Sequence, residues 1–142
     1  GAAAKAELIE AATERFIVLA EIGSKDPLTT AVPQAWAAEA TADLAAGATW
    51  VVTEGRESGT VGLFAADGQV RPEVVDAVVA AIGVGTTVFE APQKEQQAWL
   101  IRRFGPDVNL ANIAPRDALG LEALRLGMRA DTFDASVRAS RS

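Results

Sequence analysis

Three glutamates dictate much of what this chain can become. Glu21, Glu54 and Glu90 each follow an apolar run: Phe16-Ile17-Val18-Leu19-Ala20, Trp50-Val51-Val52 and Thr87-Val88-Phe89. They stand 33 and 36 residues apart. That interval is the length of a strand, a loop, a helix and a loop, so the spacing predicts successive βα units. Runs of β-branched and aromatic residues bounded by glycine read as buried strands. Charged groups at their exits are expensive if buried without partners, so the strand ends are expected to open into a polar pocket. A fourth run, Val108-Asn109-Leu110, ends in Asn112.

The intervening segments fit this scheme. An Ala-rich stretch, 2–14, reads as an amphipathic helix, and a helix ahead of the first strand suggests a chain that begins inside a larger unit. Strands are expected at 16–22, 50–54, 86–90 and 108–112, with helices at 34–46, 72–82, 93–104 and 119–128. Pro33, Pro72 and Pro92 suit helix starts, and Gly47 and Gly105 suit helix ends. The segment 55–70 is a long loop with Gly55, Gly59, Gly62 and Gly68, the kind of loop that grips ligands. Residues 1–132 form one (β/α)4 domain and 133–142 a Ser/Arg-containing tail. Nearly continuous apolar strands alternating with helices imply a parallel sheet. Helices on both faces would make it doubly wound; helices on one face would make it a barrel or a piece of one.

Composition narrows the chemistry. The 142 residues suffice for one domain, and a net charge of −6 without a basic run disfavours nucleic-acid binding. There is no cysteine and no histidine, which removes thiolate metal sites and the usual general base. Catalysis must fall to Glu, Asp, Lys, Arg, Asn or Ser. No apolar stretch approaches the ~20 residues of a membrane span, and a cytoplasmic location is expected.

Glu21, Glu54 and Glu90, at the ends of neighbouring parallel strands, can hold one Mg²⁺, which takes hard oxygen ligands. Alternatively they pair with Lys25, Arg56 and Lys94 in a salt network. Lys25 is the acid/base candidate, against the plainer reading of a surface lysine before Pro27. Arg56, Ser58 and Gly59 look like an anion grip, or else a solvated loop with an Arg56–Glu57 pair. Asn109 and Asn112 are ligand contacts or structural hydrogen-bonders. Trp36, Trp50 and Trp99 are expected in the core.

Five segments together resemble the phosphosulfolactate synthase family: Glu-Ile-Gly-Ser-Lys-Asp-Pro (21–27), Glu-Gly-Arg-Glu-Ser-Gly-Thr (54–60), Phe-Glu-Ala-Pro-Gln-Lys-x-Gln-Gln (89–97), Phe-Gly-Pro-Asp-Val-Asn-Leu-Ala-Asn-Ile (104–113) and Leu-Glu-Ala-Leu-Arg-Leu-Gly-Met-Arg-Ala-Asp-Thr (121–132). The resemblance implies half of a TIM-type (β/α)8 barrel, strands five to eight. It implies Mg²⁺-dependent addition of sulfite to phosphoenolpyruvate, on a route to coenzyme M. Lys25 would be the proton donor; Glu54 would join it in catalysis and join Glu21 and Glu90 on the metal. Arg56, Ser58, Gly59, Lys94, Asn109 and Asn112 would contact the substrate. Ser24 stands where the family usually has lysine, Gly55 where it has alanine and Ala111 where it has glycine. A complementary N-terminal half-chain, or a second copy in a homo-oligomer, is the expected partner. The alternative is a non-catalytic relative serving as a binding or stress-protection module.

Overall fold

The computed structural model describes residues 1–24, 31–56 and 58–133. The chain runs α1 (Ala2–Thr13), β1 (Leu19–Ile22), α2 (Pro33–Ala45), β2 (Trp50–Thr53), α3 (Pro72–Ile82), β3 (Thr87–Glu90), α4 (Lys94–Phe104), β4 (Leu110–Ala111) and α5 (Ala118–Arg125). Short 3₁₀ turns, Val84–Thr86 and Pro115–Asp117, lead into β3 and α5. The four strands make one parallel sheet in the order β1-β2-β3-β4, each followed by a helix. With no reversal of strand order, right-handed crossovers put the connecting helices on one face. The arrangement is that of half a TIM-type barrel, not of a doubly wound sheet.

Side-chain alternation shows which face they cover. Ala20, Ile22, Val51, Thr53, Thr87 and Phe89 are buried. Ile22, Val51 and Phe89 share one core with Trp36 and Ala40 of α2, Val74, Val75 and Val78 of α3, Leu100 and Ile101 of α4, and Leu124 of α5. Each large apolar side chain so buried contributes about 1.5–3 kcal/mol. The alternate positions, Leu19, Glu21, Trp50, Val52, Val88 and Glu90, point to the opposite face, which no helix of the described residues covers, and Leu19 there is 53% exposed. Trp50 therefore lies half-buried on the open face, whereas Trp36 is in the core and Trp99 packs against it.

Two strands are shorter than their apolar runs. Phe16 and Ile17 are 71% and 72% exposed, and pairing towards β2 begins at the Val18 carbonyl, which accepts from the Thr49 amide at 2.8 Å. At the other end, the Arg125 guanidinium takes the carbonyls of Pro106 and, at 2.9 Å, Val108. Those acceptors are satisfied by a side chain instead of a ladder, and β4 keeps two residues. Helix α4 is fixed at its start by a reciprocal capping box between Gln93 and Gln96, with Arg102 and Arg103 in its last turn, where the helix dipole favours cations.

Candidate active site

The register carries the glutamates to one rim. Glu21 lies level with Val52 and Val52 with Val88. Glu54 and Glu90 follow two residues further along their strands, at the ends where parallel-sheet sites form. Glu54 extends the ladder, its amide donating to the Ile22 carbonyl at 3.0 Å and its carbonyl accepting from Leu63 at 3.0 Å. Its side chain is nearly lost to water, at 2% exposure for the residue. Burial first, then a hydrogen bond to the Glu21 carboxylate and the charges of Glu21 and Glu90, raise its pKa above the ordinary carboxylate value.

Glu90 is used differently. Its Oε2 accepts from the Gly55 amide at 2.9 Å and the Arg56 amide at 3.1 Å. The Arg56 amide also donates to Glu54 Oε1 at 2.8 Å. These bonds hold Arg56 in the left-handed region at φ 51°, an unfavoured conformation for a residue with a side chain. Beyond it the loop turns back over the core. Leu63 and Phe64 are fully buried, and Phe64 bridges to Val70. Gly62 passes so close beneath Glu54 that a Cβ there would sit 2.2 Å from the Glu54 carbonyl oxygen.

The other sequence candidates divide. Ser58 and Gly59 lie on the same loop as Arg56; the Ser58 hydroxyl accepts from Thr60 at 2.9 Å. Lys25 and Glu57 lie outside the described residues. Lys94, in the first turn of α4, pairs with Asp131 at 2.7 Å, facing a groove beside α5. Asn109 donates to the carbonyls of Gly85 and Thr87 at 3.2 and 3.3 Å, at the opening end of β3. Both acceptors are main-chain carbonyls. Asn112, at φ 57°, follows β4 and lines a polar recess with Pro92 and Arg116.

Sequence reasoning missed the glutamines that hold the loop. Gln96, 1% exposed, donates from Nε2 to the Gly59 and Gly68 carbonyls at 2.8 and 3.1 Å. Gln93 donates to the Ser58 carbonyl at 2.6 Å. Their only sequence mark is a run of amides opening a helix after Pro92. Lys5 was also overlooked: it donates to the Glu21 carbonyl at 2.7 Å while pairing with Asp43 and Glu39 at 2.6 and 2.7 Å. Burial works to lower its pKa, but these two carboxylates outweigh burial and raise it.

A family model described as (2R)-phospho-3-sulfolactate synthase (ComA) matches residues 1–131. The chain belongs to this family. It is 44% identical over 132 residues to a phosphosulfolactate synthase of Bacillus subtilis, covering 91% of this chain and 52% of that protein. It is 41% identical over 133 residues to one of Methanothermobacter thermautotrophicus, again covering 91% of this chain and 52% of the relative. A 55-residue stretch, 39% of this chain and 19% of the relative, is 34% identical to the Arabidopsis thaliana protein Heat-stress-associated 32. The chain spans about half the length of the synthases just named.

A magnesium ion suits part of this family member's rim. Glu21 and Glu54 are hard oxygen donors in contact; burial first, and then the neighbouring carboxylates, raise the pKa of Glu54, and a divalent cation would oppose both. Among the described residues, however, no group of three or more acidic side chains forms a metal-ligand cluster. Two carboxylates meet the usual demand of Mg²⁺, which keeps several waters or substrate oxygens. Also among the described residues, no helix is long and apolar enough to cross a membrane.

Proposed function

We propose that this chain carries the reacting end of a phosphosulfolactate synthase-type lyase site, which adds sulfite to phosphoenolpyruvate. The observation that carries the reading is the contact between Glu21 and Glu54 beside the pinned Arg56 amide, in a chain of this family. Glu21 and Glu54 would hold Mg²⁺, with Glu90 keeping the Gly55 and Arg56 amides in place. When bound, the ion would neutralise charge that builds on the substrate carboxyl as sulfite adds. Sulfur bonds to the methylene carbon, the carbon–carbon π bond opens, and a proton goes to the carbon bearing the phosphate. Lys25 is the proposed donor of that proton. Arg56, with Ser58 and Gly59, would grip an anionic group of the substrate through a forked guanidinium, a hydroxyl and a close backbone.

The open sheet face bears on how the site is completed. Leu19 is exposed there, and β1 and β4 are edges. Parallel edges and apolar faces call for cover. We propose a complementary half-barrel as that cover, either from a second chain segment or from a second copy.

The test is sulfite-dependent loss of phosphoenolpyruvate, with and without Mg²⁺, together with the native mass of the active species. Turnover that needs Mg²⁺ and a closed assembly is expected. Unchanged turnover in Lys25→Ala would overturn the proton-donor role. A folded monomer with no turnover would favour a non-catalytic binding or stress-protection role, the direction in which the similarity to Heat-stress-associated 32 points.

A further inference from the structure

Between the first turns of α4 and α5 lies a second polar groove, with a volume of about 340 Å³. Three cations line it, Lys94, Arg116 and Arg129, with one carboxylate, Asp117. This local excess runs against the sign of a chain whose net charge is −6.

Arg129 sits on a turn outside any helix, and that turn is held on several sides. Lys94 pairs with Asp131 at 2.7 Å. Arg102 donates to the Asp131 carbonyl at 2.8 Å. The buried Thr132 hydroxyl donates to the Leu124 carbonyl at 2.6 Å, and the Thr132 amide returns to the Arg129 carbonyl at 3.1 Å. None of these bonds uses the Arg129 guanidinium, which has no hydrogen bond or ion pair among the described residues. Arg116 lies 3.8 Å from Asp117, and its side chain remains 87% exposed. The backbone is therefore fixed while two guanidinium forks stay open. A guanidinium fork carried on a fixed turn beside a cationic groove can meet a phosphate group, which accepts paired N–H bonds.

We propose that this groove binds the phosphate group of a small phosphomonoester, with Arg129 as the main donor, Arg116 beside it and Lys94 adding charge. Asp117 and Asp131 offset part of that charge and favour a strong, compact anion over a weakly charged one. Pro92, which lines the groove, follows Glu90 by two residues in the sequence. It deepens the reading above, since a phosphoenolpyruvate-like substrate carries such a group, but its binding can be measured without catalysis.

The experiment is calorimetric titration of the full chain, free of Mg²⁺ and at low ionic strength, with inorganic phosphate and then phosphoenolpyruvate. Arg129→Ala and Arg116→Ala alter exposed side chains and should leave the fold intact. Arg103→Ala, which removes a partner of Asp76 elsewhere, is the control. Arg129→Ala should weaken both ligands by about tenfold, the loss of one charge-assisted pair. Arg129→Lys should recover only part, because the fork is gone. Arg103→Ala should change nothing. Failure of the wild-type chain to bind either ligand at millimolar concentration overturns the groove, as does equal binding by Arg129→Ala and Arg103→Ala. Phosphate binding that depends on Arg129 but accompanies no sulfite-dependent turnover would sustain the groove and sink the catalytic reading. Turnover without dependence on Arg129 would do the reverse.

Discussion

Replacing Gln96 by leucine tests how the loop after β2 is held. Leucine approximates the volume of glutamine, so the cavity term is small. The polar loss is not. The Gly59 and Gly68 carbonyls lose their donor at 2.8 and 3.1 Å, and the Gln93 amide loses its acceptor at 3.1 Å. Both glycines are buried, so water does not readily replace the missing donor. An unsatisfied buried group costs about 1–3 kcal/mol. A carbonyl has a second lone pair, so the lower half of that range applies to each. With a smaller loss at the Gln93 amide, the total comes to about 3 kcal/mol. For a domain of this size, that is roughly a 10 °C fall in Tm. Gln93→Leu is the comparison: it removes the bond to the exposed Ser58 carbonyl and the capping bond from the Gln96 amide, both at a helix start near solvent, and should cost about 1–2 kcal/mol, less than Gln96→Leu. Urea unfolding followed by tryptophan fluorescence measures both. If Gln96→Leu falls within about 0.5 kcal/mol of wild type, or costs no more than Gln93→Leu, the buried amide is not what anchors the loop.

Other expectations follow from the same geometry. Between the ordinary carboxylate pKa and the raised value of Glu54, the native state holds a proton that the unfolded chain has released. Stability should therefore fall as pH rises through that window; Glu54→Gln should flatten the fall, and parallel urea-midpoint curves for the two proteins would refute it. Gly62→Ala drives a Cβ to 2.2 Å from the Glu54 carbonyl at a positive φ of 64°. It should cost about 3 kcal/mol or more, whereas Gly85→Ala, which meets nothing within 4 Å, should cost under about 1 kcal/mol by the same denaturation measurement. Lys5→Met leaves the buried Asp43 carboxylate without its partner at 2.6 Å. The expected loss is about 2 kcal/mol, less than for a fully buried pair because Lys5 is partly exposed; adding Asp43→Asn should restore part of it in a double-mutant cycle.

The repeat of apolar run and glutamate was legible because strand burial and strand exits leave a mark at every turn of a βα chain. Glu21, Glu54 and Glu90 come to one rim for that reason. What each does there was not legible. Glu90 accepts main-chain amides from a loop 34 and 35 residues away, and Gln96 donates to carbonyls 37 and 28 residues away. Bonds from side chain to backbone over such separations follow no period. Asn109 looked out of place in a strand, yet it serves two carbonyls at the start of β3. Arg125 shortened β4 by a similar side-chain bond, from a helix whose arginines give no sequence hint of their targets.

The order of the sheet also says how the molecule comes apart. Among the described residues each strand pairs only with those next to it in sequence, so the unit is strung like a short zipper. In such an arrangement stability sums over units and their junctions, and opening starts from an end. The junction of β1 with β2 has four residue pairs and that of β3 with β4 has two. The β4–α5 end is the first to unfasten, and native-state hydrogen exchange should run inwards from it. A phosphate seated between α4 and α5 would act as a latch on that end, slowing exchange by the factor 1 + [L]/Kd. Occupancy of the groove and integrity of the sheet's weakest edge would then be one equilibrium seen from two sides.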